Sequence, residues 1–347
     1  MTEHADNPEG ADGMPPRETS ALYGHAAAES ALLEAYRGGR LPHGWLLVGP
    51  SGIGKTTLAY RMARFVLAHP DHRVPAVRTA TSLHVDPEHP VARRIAAQGH
   101  GDLLVLERVI NEKTGKLYQD IRVDDVRKSV AFFGSTPAEG GWRVAIVDVV
   151  DELNESGANA LLKILEEPPA RGLLLLVSHS AARVLPTIRS RCRVLSLRPL
   201  APEDVAQAAA AALGRDPGDP KVVSAAAVAG GSVGRAVALL DADAIEMRKR
   251  VLGLLDRLPA IDARALHAVG DGIYGTDAGT LAAFVDAVNE WLSARLASGP
   301  HELGRLNWIA GNWERFNAAA RDVEAFNLDR KPLVFNVFGW LAEGWRG

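Results

Sequence analysis

Residues 43–59 read "HGWLLVGPSGIGKTTLA". An apolar run from Trp45 to Val48 breaks at a glycine turn and resumes as a helix pattern. From Gly49 to Thr56 the residues fit G-x-x-x-x-G-K-[ST], between an expected strand and an expected helix. Glycines let backbone N–H groups curl around a phosphate without a side-chain clash. The candidate cradle is Gly49, Pro50, Ser51, Gly52, Ile53, Gly54, Lys55, Thr56 and Thr57. Lys55 would bring a cation to the outer phosphates. The Thr56 hydroxyl is suited to magnesium, and the helix N-terminus adds partial positive charge.

Working outward, the pattern alternates. An amphipathic helix is expected over "SALYGHAAAESALLEAYRGG", residues 20–39, before the first strand. Strands are expected at "DLLVLE" (102–107), "RVAIVD" (143–148) and "GLLLLVS" (172–178). Helices are expected at "VDDVRKSVAFFG" and "ESGANALLKILEEPP", the second stopped by Pro168 and Pro169. Strands alternating with helices imply a parallel sheet covered on both faces. After Pro202 no strand pattern returns. Residues 202–240 are Ala-rich and helical with a break at Gly230–Gly231, and longer helices follow. The polar, Pro- and Gly-bearing residues 1–19 read as a disordered tail.

"RVAIVD" ends on Asp148, where a carboxylate can hold magnesium beside a nucleotide. A chain that hydrolyses its nucleotide usually follows with an acid that orients water. Here Val149 follows. General-base assistance is worth roughly 10²–10⁴ in rate, so intrinsic hydrolysis is expected to be slow or absent unless Asp151 or Glu152 substitutes from beyond the strand end. After the fourth strand, "TIRSRCRVL" sets Arg189, Arg191 and Arg193 within five residues. Such a run is usually a solvated surface. Arginine also forks onto phosphate oxygens, and delivered to a neighbour's pocket it can speed phosphoryl transfer by roughly 10³–10⁵.

Composition narrows the rest. With 47% apolar and 23% charged residues, the 347-residue chain is long enough for two or three globular domains. A formal net charge of -3 excludes a globally basic nucleic-acid binder but leaves room for a local basic face. The single cysteine, Cys192, excludes a disulfide framework and a cysteine zinc site. No apolar run is long enough to span a bilayer, and the N-terminus lacks a signal-peptide pattern. A cytoplasmic location is the expectation.

The P-loop stretch, "RVAIVDVVDELNESGANALLKILEEPP" and "PTIRSRC", in this order, resemble the bacterial DNA polymerase III clamp loader, an AAA+ family. The resemblance is carried by residues 20–240, with the C-terminal helices similar only by pattern. It implies an AAA+ nucleotide-binding α/β domain at 20–200, a small helical lid at 201–243 and an all-helical collar at 244–347. It also implies ATP with magnesium on Thr56 and Asp148, and Ser190–Arg191–Cys192 as an arginine-finger motif acting in trans. Ser178 or His179 stands where the family places a phosphate sensor. Arg235, in "GGSVGRA", sits one residue later than the second sensor of the hydrolysing subunits. On a helix that turns it by about 100°, which puts its phosphate contact in question.

Within the family, the missing glutamate resembles the delta-prime type, a stator, rather than the hydrolysing gamma/tau type. The implied partners are gamma/tau and delta subunits, with the sliding clamp and primed DNA reached through the complex. A gamma/tau-like ATPase is the alternative, and a small-molecule P-loop kinase a weaker one. Many relatives carry four zinc-binding cysteines between the P-loop helix and the second strand. Here that interval has none, only His69, His72, His84, His89 and His100, and no zinc is expected. The tryptophans Trp291, Trp308, Trp313, Trp340 and Trp345 suggest a helical-bundle core and a subunit interface in the collar.

Overall fold

The computed structural model describes residues 14–109, 118, 120–138, 141–273, 278–297, 303–325 and 328–344. Among these the chain forms two compact units, one up to Ala236 and the other from Val237.

The first unit is built on five parallel strands. They are β1 (Gly44–Val48), β2 (Leu103–Glu107), β3 (Arg143–Asp148), β4 (Gly172–Ser178) and β5 (Arg193–Ser196), in spatial order β2-β3-β4-β1-β5. β1 and β4 are buried along their whole length, as their unbroken apolar sequences require in a sheet covered on both faces. One layer holds α1 (Ala26–Arg37), α2 (Lys55–Ala68), α3 (Pro75–Thr79) and α4 (Pro90–Ala96), packed with Trp45, Leu47, Val144, Ile146, Leu173 and Leu175. The other holds α5 (Val123–Gly134) and α6 (Glu155–Glu166), packed with Leu46, Val48, Ala145, Val147, Leu174 and Leu176. The alternation along each strand therefore decides which layer a side chain meets.

Three segments differ from the sequence expectation. β5 was hidden among the arginines: it is an edge strand whose residues are mostly exposed, and charge on an edge blunts unwanted pairing. The interval between α2 and β2 carries the short helices α3 and α4, each opened by a proline at its first turn. The first helix begins at Ala26, not at Ser20. The residues before it serve as a strap over α2. Arg64 Nη1 donates to the Arg17 carbonyl at 2.9 Å, and further guanidinium N–H groups of Arg64 and Arg61 donate to the carbonyls of Thr19 and Ser20. Arg61 also pairs with Glu29 at 2.6 Å, with both side chains nearly buried. The Met14 N–H reaches the Ala212 carbonyl. Residues 14–19 of the expected tail are thus fixed, while 1–13 lie outside the described residues.

The short α7 (Pro186–Arg189) links β4 to β5, and α8 (Pro202–Leu213), α9 (Pro220–Val228) and α10 (Val233–Leu240) follow. The second unit contains α11 (Ala242–Leu255), α12 (Ala263–Gly272), α13 (Ala278–Ala297), α14 (Leu303–Ala325) and α15 (Lys331–Gly344). Its core gathers Phe284, Trp291, Phe316, Val334 and Phe338, with Trp308, Trp313 and Trp340 at its margin. Trp345 lies outside the described residues. Asn289 and Asn317 exchange amide hydrogen bonds between α13 and α14, fixing their register. Among the described residues no helix is long and apolar enough to cross a membrane.

Candidate nucleotide site

The site lies at the carboxyl ends of the strands, where β1 turns into α2. Two loop glycines have positive φ, Gly52 at 71° and Gly54 at 96°, a conformation that side chains resist. A Cβ on Gly52 would also stand 2.3 Å from the Ser232 hydroxyl. Several groups around this loop are tied down. The Gly52 carbonyl accepts from the N–H groups of Val233 (2.8 Å) and Gly234 (3.1 Å), at the start of α10. The Ile53 carbonyl is 2.7 Å from Nε2 of buried His25. Burial lowers the pKa of His25, so the neutral ring donates its Nε2–H. The Lys55 ammonium, itself buried, donates to the Pro50 carbonyl at 2.6 Å. Gly49 donates to the Ser178 carbonyl at 3.2 Å. Ser51 and Ile53 complete the loop, and Thr56 and Thr57 sit in the first turn of α2.

Thr56 and Asp148 are brought together: the hydroxyl donates to the carboxylate at 2.9 Å. Thr56 and Asp148 are the residues that would hold a magnesium ion here. Asp148 shares the α2 face of the sheet with Val144 and Ile146, and Glu107 of β2 is its register partner.

Val149 is buried, 5% exposed, in the same apolar cluster as α2. The position after Asp148 is therefore part of the core. The two candidate substitutes are committed elsewhere. Asp151 Oδ2 accepts from the His179 N–H at 2.8 Å, and Glu152 pairs with Arg108 at 2.7 Å. Each carboxylate thus has a partner outside the loop.

The sensors divide. Ser178 is fully buried, and its hydroxyl donates to the Ser180 carbonyl at 3.0 Å and accepts from the Ser180 N–H. Its parity along β4 matches Leu174 and Leu176, which face α5 and α6, away from α2. Ser178 thus reaches the loop through its carbonyl and not through its hydroxyl. Arg235 is exposed in the first turn of α10, and its N–H is held by the Ser232 hydroxyl at 3.2 Å.

Arg191 lies beyond α7. Its Nη1 donates to the Thr187 carbonyl at 3.0 Å, and its Nη2 pairs with Glu166 Oε1 at 2.9 Å. Cys192 beside it is part of the packing, and burial pushes its thiol up to about 12. The histidines between α2 and β2 serve local structure. His69 packs its ring on Phe65 and His72 on Tyr36, while His89 and His100 accept N–H bonds from Val91 and Asp102. His84 is exposed. Sequence reasoning missed His25, whose only visible mark is the "GH" pair just before α1.

A family model described as DNA polymerase III, delta subunit, matches residues 24–201, just over half of the chain. The delta-prime subunit of DNA polymerase III from Pseudomonas aeruginosa is 41% identical over 157 residues, covering 45% of this chain and 43% of that one. That of Escherichia coli is 30% identical over 222 residues, 63% and 60% of the two chains. The tau/gamma subunit of Haemophilus influenzae is 27% identical over 331 residues, 90% of this chain and 45% of that one. The chain covers less than two thirds of the length of each of these relatives. A parallel sheet with a P-loop at its first strand, a core valine after Asp148 and the match over residues 24–201 agree, and the chain belongs to the delta-prime family of DNA polymerase III subunits.

Proposed function

We propose that this chain is the stator of the DNA polymerase III clamp loader, working in the cytoplasm. In this reading it helps to load the sliding clamp onto primed DNA and lends Arg191 to the ATP site of a neighbouring subunit. Its partners are the gamma/tau and delta subunits. The observation that carries the reading is Val149, buried in the core after Asp148, with Asp151 and Glu152 both engaged elsewhere. The pocket keeps what holds a nucleotide: the glycine loop, Lys55, Thr56 and Asp148. It lacks the group that would activate water. ATP with magnesium, if taken up, would sit on the loop with Thr56 and Asp148 as its magnesium side, and would act as a structural ligand. Residues 201–243, with helices α8 to α10, form the lid and residues 244–347 the collar.

The test is ATP turnover by the purified chain, alone and in a complex with gamma/tau, delta, clamp and primed DNA. The stator reading expects little turnover alone, a complex that slows with Arg191→Ala and a complex indifferent to Lys55→Ala. The second reading, a gamma/tau-like ATPase, is favoured by the complete P-loop and by the 2.9 Å Thr56–Asp148 contact. Robust turnover by the isolated chain would select it.

A further inference from the structure

Glu166 is the last residue of α6 and Glu167 is its C-cap, so two acids stand at the negative end of a helix dipole. Acids are disfavoured there, and a residue that breaks a local rule calls for a compensating contact. For Glu166 that contact is Arg191, 2.9 Å away. The platform beneath is locked. The His43 ring is 3.1 Å from the Leu165 carbonyl, tying the end of α6 to the start of β1. A Cβ on Gly44 would stand 2.9 Å from a Leu165 methyl and 3.1 Å from the Cys192 sulfur. The backbone around Arg191 is equally held, with its N–H on the Ile188 carbonyl and that of Ser190 on the Pro186 carbonyl.

The guanidinium is therefore gripped at two nitrogens, Nη1 by Thr187 and Nη2 by Glu166, on a rigid base. A free arginine would have to give up its rotamer freedom on reaching a phosphate, and a pre-held fork loses less. The side chains remain 37% and 50% exposed, so the group is held without being sealed off. We propose that Glu166 is a positioning residue for Arg191, aiming its guanidinium across the subunit boundary before the neighbour arrives. The inference rests on Arg191 acting in trans. It adds that the aim comes from the end of α6.

The test uses the assembled complex with clamp and primed DNA and follows ATP turnover for Glu166→Gln, Glu166→Asp, Arg191→Ala and the double variant Glu166→Gln/Arg191→Ala. An exposed pair of this kind predicts a fall in kcat of roughly two- to five-fold for Glu166→Gln, with KM for ATP unchanged. Glu166→Asp retains more activity than Glu166→Gln. In the Arg191→Ala background, Glu166→Gln has no further effect. If Arg191→Ala is slow while Glu166→Gln runs at the wild-type rate or faster, the positioning role is wrong and the trans finger survives. If Arg191→Ala runs at the wild-type rate, the finger itself is wrong and the positioning role falls with it.

Discussion

Val149→Glu restores, by sequence alone, the acid that the strand end lacks. The structure predicts that it will not restore hydrolysis. Val149 is 5% exposed and packed among the residues that hold α2 to the sheet. A carboxylate there either carries its charge into an apolar layer or takes up a proton. The second course is cheaper and sets the magnitude. Holding a group of pKa about 4.3 neutral at pH 7.5 costs about 4.4 kcal/mol, and at pH 5.5 about 1.6 kcal/mol. The folded pKa is raised, so the unfolded state releases its proton first as pH rises. The variant's stability is thus fully present below about pH 4 and is lost as pH climbs towards the folded pKa. Urea unfolding at pH 5.5 and 7.5 should show Val149→Glu destabilised at both values, and by roughly 2.7 kcal/mol more at the higher. ATP turnover by the isolated variant should stay at the wild-type level. Unchanged stability together with new turnover would mean that the side chain escapes to the nucleotide, and that position 149 is not a core position.

Glu29→Ala strands the Arg61 charge in the strap over α2 and should cost about 3–5 kcal/mol in urea unfolding, while replacing both by apolar residues should cost less. His25 has its pKa lowered by burial, so the unfolded chain binds the proton first, and stability is complete above about pH 6.5 and drains away below it. Thermal melts from pH 7.5 to 5.5 should show a shallower slope for His25→Gln, with a remainder because His69 shifts in the same direction. Gly52→Ala combines a positive φ with a close approach to Ser232 and should lower stability by more than about 1 kcal/mol. The Cys192 thiol, raised to about 12 by burial, should resist a disulfide reagent at pH 8 in the folded chain and react at once in urea.

What could be read from the sequence follows from how strongly each segment is specified. β1, β3 and β4 are apolar runs between turn residues, and a run buried on both faces has no other reading at that length. β5 could not be separated from a charged loop, because its pairing with β1 needs few apolar contacts and its residues stay exposed. The glycine loop and its nearness to Asp148 were legible because the motif fixes residue type and spacing together. The orientation of Ser178 was not legible: it depends on which layer α2 occupies, and only the assembled sheet decides that. The commitments of Asp151 to His179 and of Glu166 to Arg191 join residues far apart in the chain, and no local pattern announces them.

The hydrogen bonds around the P-loop bear on why such a loop persists beside a valine. Its carbonyls at Pro50, Gly52 and Ile53 are bonded to Lys55, to the N–H groups of Val233 and Gly234, and to His25. Thr56 is bonded to Asp148. Each contact joins a different part of the first unit: the residue before α1, the start of α10 and the end of β3. A nucleotide would therefore exchange bonds at Lys55 and Thr56 more than add to them, and a weak net gain is expected. The same contacts cost nothing to keep when hydrolysis is not required. A glycine loop bonded in this way acts as the joint between the sheet and α10. Under the proposed stator role, rigidity at that joint would matter, because Arg191 can be held no more steadily than the unit that carries it.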